Sequence, residues 1–234
     1  MDLLYLLKPS DTNVELRYSL RSLKFLKYDN VFTGGYKPRF VTGVKTVPVA
    51  QNKTKWLNVL DILRAVCDSD ISDTFAVMND DFIFTAPYTL QNYCNGTLQQ
   101  KAGQYAGKET TLWRKAFGNA LDILAQLKCG HTANFELHLP LVVEKAKLYL
   151  MLTHPVVTSA AQTHGVLHYR SIYGNLFLPP CPSIKDVKIP RNGDYQGRYA
   201  TFHCISVFDG VIGSPKYPKL NTLLNTLEKS KFEV

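Results

Sequence analysis

Residues 74–84, TFAVMNDDFIF, carry the pattern that decides the fold. A short run typical of a β-strand, Thr74–Met78, stops abruptly at the triplet Asn-Asp-Asp at 79–81, and a second apolar run, Phe82–Phe84, follows it. In sheets of parallel strands, ligands bind outside the carboxyl ends of the strands. The acidic triplet is at such an end, so we predict a functional site there.

Short strands alternate with amphipathic helices on the N-terminal side of this segment. Apolar residues that recur every three or four positions indicate helices, and short apolar runs bounded by Pro or Gly indicate strands. The predicted elements are a strand at 3–7, a helix from Val14 to Leu26, a strand at 30–33, a β-rich stretch at 40–49 and a helix at 56–67. The order β-α-β-β-α-β predicts an α/β fold with a mostly parallel sheet flanked by helices.

The C-terminal side is less regular. Helical spacing predicts helices at 113–127, at 142–152 and, closing the chain, at 220–227, whereas short pieces from Leu167 onward predict strands separated by turns. No repeat or linker-like tract divides the chain, so we expect a single domain over residues 1–234.

The composition favours polyanionic partners and a cytoplasmic location. Lysine and arginine number 27 against 19 acidic residues, a formal net charge of +8. The apolar runs are far shorter than the roughly 18 to 20 residues that span a bilayer, so no membrane segment is expected. Five widely spaced cysteines are typical of reduced thiols in a cytoplasmic protein.

The adjacent carboxylates Asp80 and Asp81 would repel each other unless a cation or hydrogen-bond donors neutralise them. Mg²⁺ or Mn²⁺ does so, since such ions accept one or two carboxylates while nucleotide phosphates fill their other positions. In an extended segment Asn79 and Asp81 share one face and Asp80 points to the other. Asn and Asp are also common in turns, so an exposed turn without function is the alternative.

Three segments occur in an order and at a separation that resemble a known family: Asn13–Leu23 (NVELRYSLRSL), Val31–Gly35 (VFTGG) and Asp73–Phe82 (DTFAVMNDDF). They resemble blocks of the Stealth family of capsular sugar-phosphate transferases, and Glu136–Pro140 and Arg170–Asn175 resemble later blocks more loosely. Stealth proteins are similar in turn to nucleotide-sugar-dependent glycosyltransferases of the GT-A type, whose D-x-D-like motif follows a strand. Phage-encoded relatives attach sugars to modified DNA bases.

The resemblance implies a GT-A-like (Rossmann-like) domain with a nucleotide-sugar-binding half at 1–90 and an acceptor-binding half at 91–234. It also implies that Asp81 is the main metal ligand, and that Asp80 or Asn79 contacts the ribose or the donor sugar. GT-A enzymes often complete the metal shell with a late histidine, so His138 is the expected further ligand for Mn²⁺ or Mg²⁺.

Two further sets of residues are candidates for the same site. Arg17 and Arg21 are four apart on one predicted helix and could clamp a diphosphate, or form a solvated helix face. His138 could instead be a base. Glu136, on the same face of a predicted strand, is a candidate general base, and Asp80 is a further catalytic candidate.

The segment around Arg170 supplies the last candidates. Arg170 could stabilise the leaving diphosphate as charge builds on it, with Tyr173 and Asn175 lining the same cleft. The alternative is a Tyr-Gly-Asn turn with an arginine at its rim.

Lysines and aromatic residues are interleaved along the chain without forming one run. This mixture suits a groove that holds a phosphate backbone and an extruded base, or an ordinary basic surface. Residues 97–115 are the expected mobile acceptor-binding loop. We therefore expect a metal-dependent glycosyltransferase that acts on a hydroxymethylated, or already modified, base in bacteriophage DNA. The alternatives are transfer of a sugar or sugar phosphate to a surface polysaccharide, and a nucleic-acid-binding protein without enzymatic activity.

Overall fold

The computed structural model describes residues 1–104, 112–189, 203–208 and 210–234. Its strands are β1 (Asp2–Leu6), β2 (Val31–Gly35), β3 (Lys45–Pro48), β4 (Thr74–Met78), β5 (Phe82–Phe84), β6 (Leu141–Glu144) and β7 (Cys204–Ser206). Its helices are α1 (Val14–Ser22), α2 (Lys55–Cys67), α3 (Leu98–Gln104), α4 (Leu112–Gln126), α5 (Lys145–Thr153), α6 (Pro155–His164), α7 (Tyr169–Phe177) and α8 (Pro218–Leu224).

The central sheet has the strand order β3-β2-β1-β4-β6. Strands β1 to β4 run parallel, and β6 is antiparallel to β4. This confirms the predicted α/β fold with a mostly parallel sheet. The chain places β2 and β3 on one side of β1 and then crosses to β4 on the other side. The carboxyl ends of β1 and β4 therefore form the switch point, where a crevice opens in sheets of this kind.

Successive side chains of a strand point to opposite faces of the sheet, so apolar strands expose apolar residues on both faces. Helices cover both faces and bury these residues. Leu4 of β1 packs in a core that includes α2, α4 and α5, whereas its neighbours Leu3 and Tyr5 pack in a second core with α1. Gly34 permits the close approach of α2, since a Cβ there would lie 2.4 Å from Cγ2 of Ile62. Strands β5 and β7 form a separate antiparallel pair that follows the acidic triplet.

The N-terminal predictions are confirmed within a few residues, but two predictions beyond residue 140 are wrong. The stretch at 142–152 begins as β6 and becomes helical only at Lys145, because residues 141–144 pair with β4. The residues from Leu167 that were expected to form strands instead include helix α7. The predicted loop at 97–115 contains α3 and the start of α4, and its residues 105–111 lie outside the described part of the chain.

In the described part of the chain, every helix is too short or too polar to span a membrane. The proposed division into halves at residue 90 stays a prediction.

Candidate functional site

A cleft of about 750 Å³ opens at the carboxyl end of β4. We call it the switch-point cleft. Its polar lining includes the triplet at 79–81, His138 and the lysines at 55, 188 and 216. A smaller cavity of about 270 Å³ adjoins it and shares Asn79 and His138. The site predicted from residues 79–81 is therefore a concave, charged surface at the switch point of the sheet.

The acidic triplet forms a turn rather than an extended segment, because the Phe82 amide donates to the Asn79 carbonyl at 3.4 Å. All three of its residues line the switch-point cleft. The expected alternation, with Asp80 on the opposite face, is wrong for this reason. The alternative of an exposed turn is also incorrect, since Asp81 is only 9% exposed and Asp80 is half-buried.

Asp80 is bound by Asn13, the residue that caps the N-terminus of α1. Asn13 accepts a hydrogen bond from the Leu16 amide as the helix cap and donates from Nδ2 to Oδ2 of Asp80 at 2.5 Å. Burial raises the pKa of Asp80 to about 6, the Asn13 hydrogen bond opposes this shift, and the charge of Asp81 adds to it. The carboxyl group of Asp80 is thus harder to ionise in the folded state than in the unfolded chain.

We expect Asp80→Asn to stabilise the protein at pH 7 and to have no effect on stability at pH 3. The pKa of Asp80 rises from 3.8 to about 6 on folding. The folded state therefore binds the proton more tightly, and stability falls as the pH rises through this interval. The asparagine avoids that cost, which is about 3 kcal/mol at neutral pH.

Urea unfolding at both pH values measures this effect. Asp122→Asn is the matched control, because Asp122 is exposed on α4. An equal gain in stability at both pH values would contradict the assignment of the shift to Asp80.

Asp81 is neutralised by protein groups. Its Oδ2 accepts hydrogen bonds from Nζ of Lys188 at 2.7 Å and from the Ser206 hydroxyl. Lys188 also donates to the Val207 carbonyl at 2.8 Å. The side chains of Asp81 and Lys188 are 13% and 18% exposed, so this is a largely buried ion pair at the edge of the cleft. Lys188 was not among the candidates from the sequence, because it is 107 residues away from its partner.

His138 is oriented by Asp186, which the sequence did not reveal. Oδ2 of Asp186 lies 2.6 Å from Nδ1 of His138, and Oδ1 accepts from the His138 amide at 3.0 Å. Burial would raise the pKa of Asp186, but the hydrogen bonds and charge of His138 hold it below the usual value. A carboxylate at Nδ1 favours the tautomer with the proton on Nδ1, which leaves a lone pair on Nε2.

Glu136 is held in the protein interior near the start of α7. It accepts from the Ser171 amide at 3.0 Å, and Nδ1 of His168 lies 3.4 Å from its carboxylate. Burial would raise the pKa of Glu136, but the charge and hydrogen bond of His168 and the charge of Arg170 hold it below the usual value. Residues 136–138 are irregular rather than a strand, although Glu136 and His138 both line the smaller cavity.

The three candidates at 170–175 lie on α7, so the alternative of a Tyr-Gly-Asn turn is wrong. Arg170 lines the smaller cavity and donates to the Leu139 carbonyl, while its Nε is buried without a partner among the described residues. The Tyr173 hydroxyl accepts from the Glu144 amide at 2.8 Å. Asn175 bonds both the amide and the carbonyl of Ala133, at 2.7 and 2.8 Å. Of these three residues, Arg170 alone lines the smaller cavity, and none of the three lines the switch-point cleft.

Arg17 and Arg21 bind the C-terminal segment. Arg21 makes two hydrogen bonds to the carboxylate of Glu233, at 2.9 and 3.0 Å. Arg17 lies 3.4 Å from the same carboxylate, and its guanidinium stacks 3.7 Å above the Phe40 ring. Neither arginine is among the residues that line the switch-point cleft. Their role in binding a diphosphate stays a prediction.

The residues expected to bind Mn²⁺ or Mg²⁺ do not form a suitable ligand set in this arrangement. Oδ2 of Asp81 already accepts hydrogen bonds from the Lys188 ammonium and the Ser206 hydroxyl. In the described ranges, no three His, Cys, Asp or Glu side chains are grouped so that they could hold a metal ion. The site as observed therefore offers a lysine where the sequence predicted a metal.

Comparison with known proteins finds structural similarity to solved structures but no match by sequence. No protein-family model matches the chain, and no curated protein matches it. The complex of the galactosyltransferase LgtC with donor and acceptor sugar analogs has a TM-score of 0.45 at 10% identity, over 98% of this chain and 97% of that one. An active-site mutant of LgtC gives a TM-score of 0.48 at 11% identity, with the same coverage.

The apo form of the glycosyltransferase GlyE from Streptococcus pneumoniae TIGR4 has a TM-score of 0.39 at 10% identity, over 79% of this chain and 44% of that one. At these values the likenesses carry no argument about activity. The α/β assignment rests on the strand order of the chain itself.

Proposed function

We propose that this protein is a glycosyltransferase that moves a sugar from a nucleotide-sugar donor to a hydroxyl group. The observation that carries the proposal is the combination of groups in the switch-point cleft. Carboxylates that suit sugar hydroxyls, lysines that suit phosphates and a carboxylate-oriented histidine that suits a hydroxyl proton line one cavity. Its volume of about 750 Å³ is in the range of sites for small ligands and cofactors.

Each group has a place in the transfer step. The acceptor oxygen forms a bond to the anomeric carbon of the sugar, the bond from that carbon to the diphosphate oxygen breaks, and its electron pair leaves with the nucleoside diphosphate. His138 takes the proton of the acceptor hydroxyl at Nε2, while Asp80 and Asn79 bind hydroxyls of the donor. Lysine ammonium groups in the cleft stabilise the charge that develops on the leaving group.

The cleft argues against a protein that only binds nucleic acid. Asp80 and Asp81 line the same concave surface as the lysines, so the cleft is a pocket of mixed charge rather than a continuous basic groove for a phosphate backbone. Burying Asp80 also costs folding free energy, because its pKa is raised to about 6. Such a cost is expected at a site selected for chemistry rather than for stability.

A thermal-shift panel of UDP-, GDP-, ADP- and CMP-sugars tests the donor. We expect one of the nucleoside diphosphate sugars to raise the melting temperature, since a ligand that binds only the folded state stabilises it. The CMP-sugar carries one phosphate and should give a smaller shift. The same donor should be hydrolysed slowly when water is the acceptor. Absence of both a shift and hydrolysis with every donor would overturn the proposed function.

For the acceptor we propose a hydroxymethylated base in phage DNA, supported by the net charge of +8. Affinity for duplex DNA that contains such a base should then fall steeply between low and moderate salt. Transfer from the donor found in the panel should require the hydroxymethyl group. A flat salt dependence, together with transfer to a polysaccharide, would favour the surface-polysaccharide alternative.

A further inference from the structure

We propose that Lys188, held in place by Asp81, is the cation that binds the diphosphate of the donor, so that transfer proceeds without a divalent metal ion. The inference rests on the proposed function and concerns the chemistry of its donor site. It starts from an ion pair that the sequence did not reveal.

The ammonium of Lys188 has a fixed position. Asp81 accepts from Nζ at 2.7 Å, the Val207 carbonyl accepts at 2.8 Å, and the ring of Phe208 lies 4.4 Å away. Among the described residues, two of the three ammonium donors are used in these contacts, which leaves the third for a phosphate oxygen. The side chain remains 18% exposed, and Lys188 lines the switch-point cleft. A ligand in the cleft can therefore reach the ammonium.

Asp81 is suited to hold this lysine rather than a metal ion. Its Oδ2 accepts from both Lys188 and the Ser206 hydroxyl. A divalent cation bound to the same oxygen, at about 2.1 Å, would face an ammonium group with like charge in a mostly buried site. A metal ion on Oδ2 would therefore displace the lysine from that oxygen.

The charge of the cleft is consistent with a diphosphate ligand. Lys55 and Lys216 line it together with Lys188, so three ammonium groups face two carboxylates. Asp81 neutralises Lys188 when the site is empty, and Asp80 is the remaining acid. When the glycosidic bond breaks, the electron pair on the leaving oxygen makes the diphosphate more negative. An ammonium group already in position stabilises this charge without reorganisation.

Chelation tests the proposal on the unaltered chain. The melting-temperature shift and the rate of donor hydrolysis should be the same with excess EDTA as with MnCl₂, for the donor identified in the panel. Loss of both in EDTA, with recovery in MnCl₂, would overturn the metal-free inference and leave the proposed function intact. Failure of every donor under both conditions would instead contradict the proposed function.

Substitution tests the role of the lysine itself. Lys188→Ala should weaken donor affinity by about tenfold or more, because a charged hydrogen bond is lost. Lys188→Arg should retain part of this affinity. Lys37→Ala is the matched control, since Lys37 is exposed and removes the same charge outside the lining of the cleft. Equal donor affinity in Lys188→Ala and Lys37→Ala would overturn the assignment. The chelation experiment remains decisive if Lys188→Ala does not fold.

Discussion

Asp81→Ala should lower the free energy of unfolding by about 3–5 kcal/mol, because it leaves the ammonium of Lys188 without its carboxylate partner in a mostly buried site. Lys188 loses its anchor at 2.7 Å, so donor hydrolysis and folding stability should decline together.

A double-mutant cycle isolates the interaction between the two residues. Asp81→Ala and Lys188→Ala should each destabilise the protein, and the double variant should be less destabilised than the sum of the two effects. Urea unfolding of the four proteins gives the coupling energy. Strictly additive losses would show that the pair does not hold the turn at 79–81.

Asp70 offers a control of the same chemical type. Its Oδ2 lies 2.6 Å from Nζ of Lys45, but the side chains are 71% and 48% exposed. Solvent screens such a pair, and its removal by Asp70→Ala should cost less than about 1 kcal/mol. Both substitutions remove an aspartate that is paired with a lysine, and the two pairs differ in how deeply they are buried.

Local sequence was sufficient for the elements whose hydrogen bonds and burial depend on neighbouring residues. Strand β4 was predicted with its observed bounds, and helix α1 was predicted to begin at Val14, where it does begin. The position of the acidic triplet after a buried strand also identified the cleft. These predictions succeeded because hydrophobic periodicity and capping act over a few residues.

The partners of the site residues could not be predicted, because the fold brings them together from distant positions. Lys188 and Asp81 are 107 residues apart, and Asp186 and His138 are 48 apart. The Tyr-Gly-Asn segment misled for a different reason. Gly174 serves close packing of α7, since a Cβ there would lie 2.4 Å from Cδ2 of Phe135. A glycine that permits helix contact has the same local signature as one in a turn.

His138→Gln should lower kcat for sugar transfer by about 10²–10⁴-fold with little change in donor affinity, which is the usual contribution of a general base. Asp186→Asn should have a smaller effect in the same direction. The asparagine can still bind Nδ1 of His138, but it no longer stabilises the imidazolium that forms when the proton is taken. Steady-state kinetics and a thermal shift with the donor separate the two quantities.

The contrast between His138 and Glu136 decides which group is the base. Glu136 is occupied by Ser171 and His168, and its pKa is held below the usual value. Glu136→Gln should therefore lower the melting temperature and leave the kcat of the folded protein nearly unchanged. His131→Gln is a matched control, because His131 is exposed and does not line the switch-point cleft. One pair of results would make Glu136 the base: loss of turnover in Glu136→Gln at an unchanged melting temperature, and an unchanged kcat in His138→Gln. The contact between Asp186 and His138 would then serve only to hold residues 136–138 in place.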